Sequence, residues 1–436
     1  MPTRRAVLRS SAAAFVLTGC RLRGATSRMR ATSATTRPSA STGVPHIKRP
    51  AVTIIDPTLS AFRGELERAL GAAAMPFSIR FLPAVGTLEA QAASADLVSG
   101  WMWQGFRSAG LADLFIPLNP LLRAANFNTT QLLGGTLPAL HAENGALIEL
   151  PWHLGEMQFY VNDKAVAALG LDPRAPWTLK RLQTAAFAAV GNGRGQHPFT
   201  GVGWGAVNLW AAIIAELGGA LYSSSAGRVQ LTAVTEQAEQ FVEFCRQTRW
   251  APIGADKISF MLGGFAASPK ALFAFAQPWT MGTVRGDRIR KLVPADFPSA
   301  ARARAPAVGS DVLAVSAGSR HPELAVRFIL WLYRPEQQKL FASFGVPSVI
   351  NDEKLYAFWD EQRKEHPSYP IFYRNGYFDF LDLLPAVPLR AAARSSPSAP
   401  WSSVFYGAFQ RMYHGAKVAL ELKQLQGLVE QAMTRS

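Results

Sequence analysis

From Ala51 onward the chain alternates short apolar runs with amphipathic stretches, and few folds accommodate that alternation. Ala51-Val52-Thr53-Ile54-Ile55-Asp56 reads as a strand closed by Pro57. Ser60–Ala72 follows, with Phe62, Leu66 and Leu70 spaced along one helical face. Phe77–Leu82 alternates apolar and polar residues as a second strand, and Ala95–Gly100 reads as a third, short and buried. Strands separated by helices are too far apart in sequence to be joined as hairpins. They pair in parallel through crossovers, which predicts an α/β fold with a largely parallel sheet.

The same texture continues downstream. Thr178 is placed to cap a helix over Leu179–Val190, and Asn208–Leu217 reads as a helix stopped by Gly218-Gly219. Thr235–Arg246 is amphipathic through Ala238, Phe241, Val242 and Cys245. Ala271–Ala276 and Val312–Val315 read as buried strands. Pro322–Tyr333 carries Ala325, Phe328, Ile329 and Leu332 on one face and ends before Pro335. The tail reads as two helices, Ser403–His414 and Lys417–Met433, broken at Gly415.

The 50 residues before this pattern have a different character. Arg4, Arg5 and Arg9 precede an apolar run, Ala12–Leu17, that falls far short of the ~20 residues needed to span a bilayer. Residues 1–19 therefore read as an export signal. Thr3-Arg4-Arg5-Ala6-Val7-Leu8 resembles a twin-arginine signal, and Leu17-Thr18-Gly19-Cys20 resembles a lipobox. That resemblance implies cleavage before Cys20 and acylation of its thiol. Residues 20–50, rich in Ala, Ser, Thr and Arg, read as the lipidated cysteine and a flexible tether, with order beginning near Ala51. The expected location is the periplasmic, extracytoplasmic face of the cell membrane.

Charge needs locating before it is interpreted. The net charge is +15, but ten of the 45 basic residues and none of the 30 acidic ones lie in residues 1–50. Removing them leaves 35 basic against 30 acidic residues, so the body is only mildly basic, which argues against nucleic acid as a partner. Hydrophobic residues at 49% supply a sizeable core. With Cys20 assigned to lipid, Cys245 has no disulfide partner and reads as a small buried hydrophobe. No Cys or His spacing suggests a metal site, and no cofactor is expected.

Three segments, in order, resemble the extracellular solute-binding proteins of carbohydrate ABC importers, the group that includes maltose-binding protein. The first is Glu149-Leu150-Pro151-Trp152, continued by Phe159–Lys164, Leu169-Gly170-Leu171 and Pro176-Trp177-Thr178. The second is Lys270-Ala271-Leu272-Phe273 through Pro278-Trp279, with Pro269 where the family has glycine. The third is Gly309–Ser316 followed by His321–Phe328. The resemblance implies a type II periplasmic-binding fold, two α/β lobes with a ligand cleft between them. Lobe 1 is expected over 51–152 plus 309–350. Lobe 2 is expected over 153–308 plus 351–436, including the C-terminal helices. The crossings are expected near Pro151–Gly155, Val308–Asp311 and residues 346–356. The implied partners are a sugar or sugar derivative and the transmembrane permease subunits, with the protein itself a monomer.

A sugar ring presents apolar C–H faces and polar hydroxyl edges, so indoles and hydrogen-bonding side chains suit it together. Of eleven tryptophans, Trp101 and Trp103 follow the third strand at its carboxyl end, where open α/β sheets bind ligands. Trp279 matches the family's stacking tryptophan. Trp152, His153 and Glu156 lie at the first expected crossing, and Asp311 at the return. Trp204 and Asn208 follow a glycine-rich turn, and Trp401 precedes the first tail helix. Trp177, Trp250, Trp331 and Trp359 read as core. No nucleophile-elbow, zinc-protease or phosphate-loop motif is present in the sequence, and no catalytic residue is expected. Two other readings compete. One is a surface glycosidase, for which Glu149 and Glu156 are the acidic pair near the expected cleft. The other is a sensory or scaffold lipoprotein that retains the binding fold.

Overall fold

The computed structural model describes residues 49–101, 112–132, 145–154, 158–191, 198–201, 213–214, 217, 222–223, 228–250, 271–276, 292–295, 306–307, 311–366, 369, 377–378 and 400–434. In chain order the described strands begin with β1 (Ala51–Ile55), β2 (Ser78–Phe81), β3 (Leu97–Trp101), β4 (Glu149–Pro151), β5 (Gln158–Asn162) and β6 (Phe199–Gly201). They continue with β7 (Tyr222–Ser223), β8 (Arg228–Val229), β9 (Phe273–Ala276) and β10 (Leu292–Ala295). The last three are β11 (Pro306–Ala307), β12 (Asp311–Val315) and β13 (Tyr377–Phe378). Two larger sheets result, ordered β2-β1-β3-β12-β4 and β10-β5-β9-β6.

In the first sheet β1, β2 and β3 run parallel, as the helical connections require. The helix Arg63–Ala72 links β1 to β2 and buries Leu66 and Leu70, one turn apart on its inner face. The helix Leu88–Ser94 links β2 to β3 and is capped by Thr87, whose hydroxyl accepts from Ala90 N at 3.3 Å. β12 enters antiparallel between β3 and β4, so a strand distant in sequence sits at the centre of this half. All five of its residues are buried, consistent with a continuous apolar strand covered on both faces.

Two separate apolar cores follow the two sheets. The first gathers β1, β3, β4 and β12 with the helices Pro322–Leu332 and Pro335–Ser343. Trp331 stacks on Phe328 there, at 5.8 Å between ring centres. The second gathers β5 and β9 with the helices Leu179–Gly191, Thr235–Gln247, Pro400–Tyr413 and Val418–Thr434. Trp177, Trp250 and Cys245 are all buried in it, as expected. Burial also pushes the Cys245 thiol well above its ordinary range, so it stays a neutral, small apolar group. Gly415, at φ 112°, makes the tight break between the last two helices. Arg246 donates from Nε to Tyr413 O at 3.0 Å and also bonds Met412 O, covering carbonyls left open at that helix end.

The chain passes from the first sheet to the second between β4 and β5, and returns between β10 and β12, both close to where the sequence places crossings. The third passage differs from expectation. Residues 346–356 do not cross: Val346, Val349, Ile350, Leu355 and Tyr356 all belong to the first core. Asn351 N bonds Gln131 O at 2.8 Å and Leu154 N bonds Pro347 O at 3.0 Å, stitching this stretch to the first half. The helix Glu353–Glu365, expected in lobe 2, carries Leu355 and Tyr356 into that same core. Trp359 packs on Tyr369 at 4.7 Å. The chain next appears in the second core at Phe405. The first core also reaches Leu154, two residues beyond the expected boundary at 152.

Candidate functional site

The carboxyl ends of β1, β3 and β4 and the amino end of β12 meet along one edge of the first sheet. Register places Asp311 opposite Trp101 and Val312 opposite Pro151. Asp56 is the residue just past β1, and Trp152 and His153 come just past β4. This is the edge at which open α/β sheets bind ligands.

His153 is the hub. Its Nε2 lies 3.0 Å from Asp311 Oδ2, and its Nδ1 lies 2.9 Å from the carbonyl oxygen of Leu154. Both ring nitrogens therefore face acceptors, an arrangement a neutral imidazole satisfies at one nitrogen and an imidazolium at both. Burial pulls the imidazole pKa down, but the Asp311 charge and hydrogen bond, the Leu154 carbonyl and Asp56 outweigh it and hold it above the ordinary value. Trp152 N donates to Asp311 O at 3.1 Å, so the backbone fastens the same two segments.

Asp56 completes the cluster and was not anticipated from sequence. The available signal was an acid ending an otherwise apolar strand, Ile54-Ile55-Asp56-Pro57. Its Oδ1 accepts from Leu59 N at 2.8 Å, and its Oδ2 is buried with no hydrogen-bond partner among the described residues. Burial, then the charge of Asp311, pushes this carboxyl up to about 7, against the Leu59 hydrogen bond and His153, which favour the charged form.

The opposite end of the sheet holds an acid in a contrasting state. Asp96 accepts from Thr53 N at 2.8 Å, from Thr53 Oγ1 at 2.6 Å and from Ser319 Oγ at 2.6 Å. Burial raises its pKa, but those hydrogen bonds, from Ser319 first, outweigh burial and hold it below the usual carboxylate range.

Three of the expected ligand contacts, Trp152, His153 and Asp311, are buried side chains. Trp152 is completely buried, with Phe341 at 5.1 Å and Phe62 at 6.5 Å between ring centres, so its indole is a core side chain rather than a stacking surface. His153 and Asp311 are buried too and are directed at each other. Trp101 ends β3, and Trp401 is the second residue of the helix Pro400–Tyr413, one position inside rather than before it; the side chains of both lie outside the described residues. Trp103, Glu156, Trp204, Asn208 and Trp279 lie outside them as well, as does Cys20. Glu149 is wholly buried within β4, opposite Ala314, and offers no carboxyl to a glycoside. Among the described residues no group of His, Cys, Asp and Glu is arranged to hold a metal ion, and no helix is long and apolar enough to cross a membrane.

Two α/β cores joined by repeated crossings, with strand ends gathered at the junction, define a type II periplasmic-binding fold. The family of bacterial extracellular solute-binding proteins matches residues 86–339, and the chain belongs to it. Solved structures with the same fold include maltose-bound MalE3 of T. maritima, 17% identical, covering 87% of this chain and 99% of that one at a TM-score of 0.63. The ABC substrate-binding protein Lmo0181 from Listeria monocytogenes, in complex with cycloalternan, is 12% identical over 88% of this chain and 99% of its own, at 0.67. UgpB from Mycobacterium tuberculosis, in complex with glycerophosphocholine, is 15% identical over 88% and 98%, at 0.63. No curated protein sequence matches this chain.

Proposed function

We propose that this protein is the solute-binding component of an ABC importer, taking a carbohydrate or sugar derivative between two lobes and delivering it to the permease. Residues 51–154 with 311–369 form one lobe in this reading, and residues 158–295 with 400–434 the other. The supporting observation is the division into two cores whose connections gather at the strand-end edge. That geometry suits hinge closure, in which ligand shifts an open–closed equilibrium by contacting both lobes only when they close. The protein acts as a binding module and not as an enzyme. Relatives of the fold bound to maltose, cycloalternan and glycerophosphocholine set the chemical range, which is polyhydroxylated solutes. Trp101, Trp103, Glu156, Trp204, Asn208, Trp279 and Trp401 are the proposed ligand contacts, with the indoles stacking on sugar faces. Residues 1–19 are proposed as the export signal and Cys20 as the lipid anchor that keeps a monomer beside its permease.

A thermal-shift panel of malto-oligosaccharides, cyclic oligosaccharides, polyols and glycerophosphodiesters tests this. A ligand bound only by the folded state raises the melting temperature with concentration. A true ligand should also reduce the radius of gyration in solution scattering. If no solute in these classes raises the melting temperature, the carbohydrate assignment fails.

A further inference from the structure

We draw no further inference here: the strongest candidate, the surface patch on the outer side of the helix Val418–Thr434 where Leu420 and Leu428 stand exposed, carries nothing because nothing in the structure shows what covers it.

Discussion

His153 Nε2 sits 3.0 Å from Asp311 Oδ2 across a sequence separation of 158 residues, and both side chains are almost fully buried. The contact ties the start of the first crossing to the end of the return crossing. A buried pair is worth little when compared with well-packed apolar residues, but removing one partner is expensive because the other charge is stranded. His153→Gln should therefore destabilise the protein by about 3–5 kcal/mol in urea denaturation at pH 6. His153→Gln combined with Asp311→Asn should cost less than the two single changes added together. Additive losses would show that the two side chains do not act as a pair.

Asp56 makes stability depend on pH in a defined direction. Its folded value is raised from 3.8 to about 7, so the folded state holds a proton that the unfolded chain has lost. That contribution is complete below the unfolded value and is lost as pH rises through about 7. The raised pKa of His153 acts in the same direction, lost as pH climbs through its folded value above 6.5. Unfolding free energy should fall by about 2–3 kcal/mol between pH 5 and pH 8 from Asp56 alone. Asp56→Asn should flatten that slope. A slope equal to that of the wild type would show that Asp56 titrates normally.

Asp96 has the opposite sign. Its depressed pKa means that its contribution is present above the unfolded value of 3.8 and disappears as pH falls through the folded value. Asp96→Asn should cost about 2 kcal/mol at pH 7, through weakened bonds to Thr53 and Ser319, and less at about pH 3, where part of that contribution is already lost. Chemical denaturation at the two pH values makes the comparison. A cost independent of pH would assign the loss to packing.

Trp152 separates core from ligand surface. Trp152→Ala removes a fully buried indole packed on Phe62 and Phe341 and should cost about 3–5 kcal/mol, close to Trp331→Ala. Trp279→Ala should instead weaken ligand binding roughly 5- to 150-fold, for a stacking contact of ~1–3 kcal/mol, with a smaller effect on melting temperature. Calorimetric titration of both variants with the same solute decides the assignment. Trp279→Ala that melts as early as Trp331→Ala yet binds normally would place Trp279 in the core.

The proposed address is checked in cells. Cys20→Ser should shift the protein from the membrane to the soluble fraction, because a single cysteine carries the whole proposed anchor. Retention on membranes through detergent-free washing would remove the lipid anchor from the reading.

Local pattern was sufficient wherever one segment's period decides its own state. The alternation in Phe77–Leu82, the spacing of Leu66 and Leu70, and the apolar face of Pro322–Leu332 are properties of adjacent residues, and each appears as the element expected. Trp331, inside that last helix, is buried, as are Trp177, Trp250 and Trp359. The order of short motifs around Pro151, Ala271 and Gly309 was enough to indicate the fold family, because each motif sits at a strand end that the topology reuses.

What needed the tertiary structure depends on which distant segments meet. Insertion of β12 between β3 and β4 brings Asp311 to His153, Phe62 and Phe341 close over Trp152, and no periodicity in any one segment encodes those meetings. The third passage moved for the same reason. Residues 346–356 have the composition of a connector, but Leu154 N and Gln131 O bond to them and hold them in the first core. A residue's neighbours in sequence set its backbone state. Its charge and exposure depend on groups from distant segments as well, such as Asp311 beside His153, so the sequence alone located the strand ends and only the packed sheet decided which of their side chains face one another.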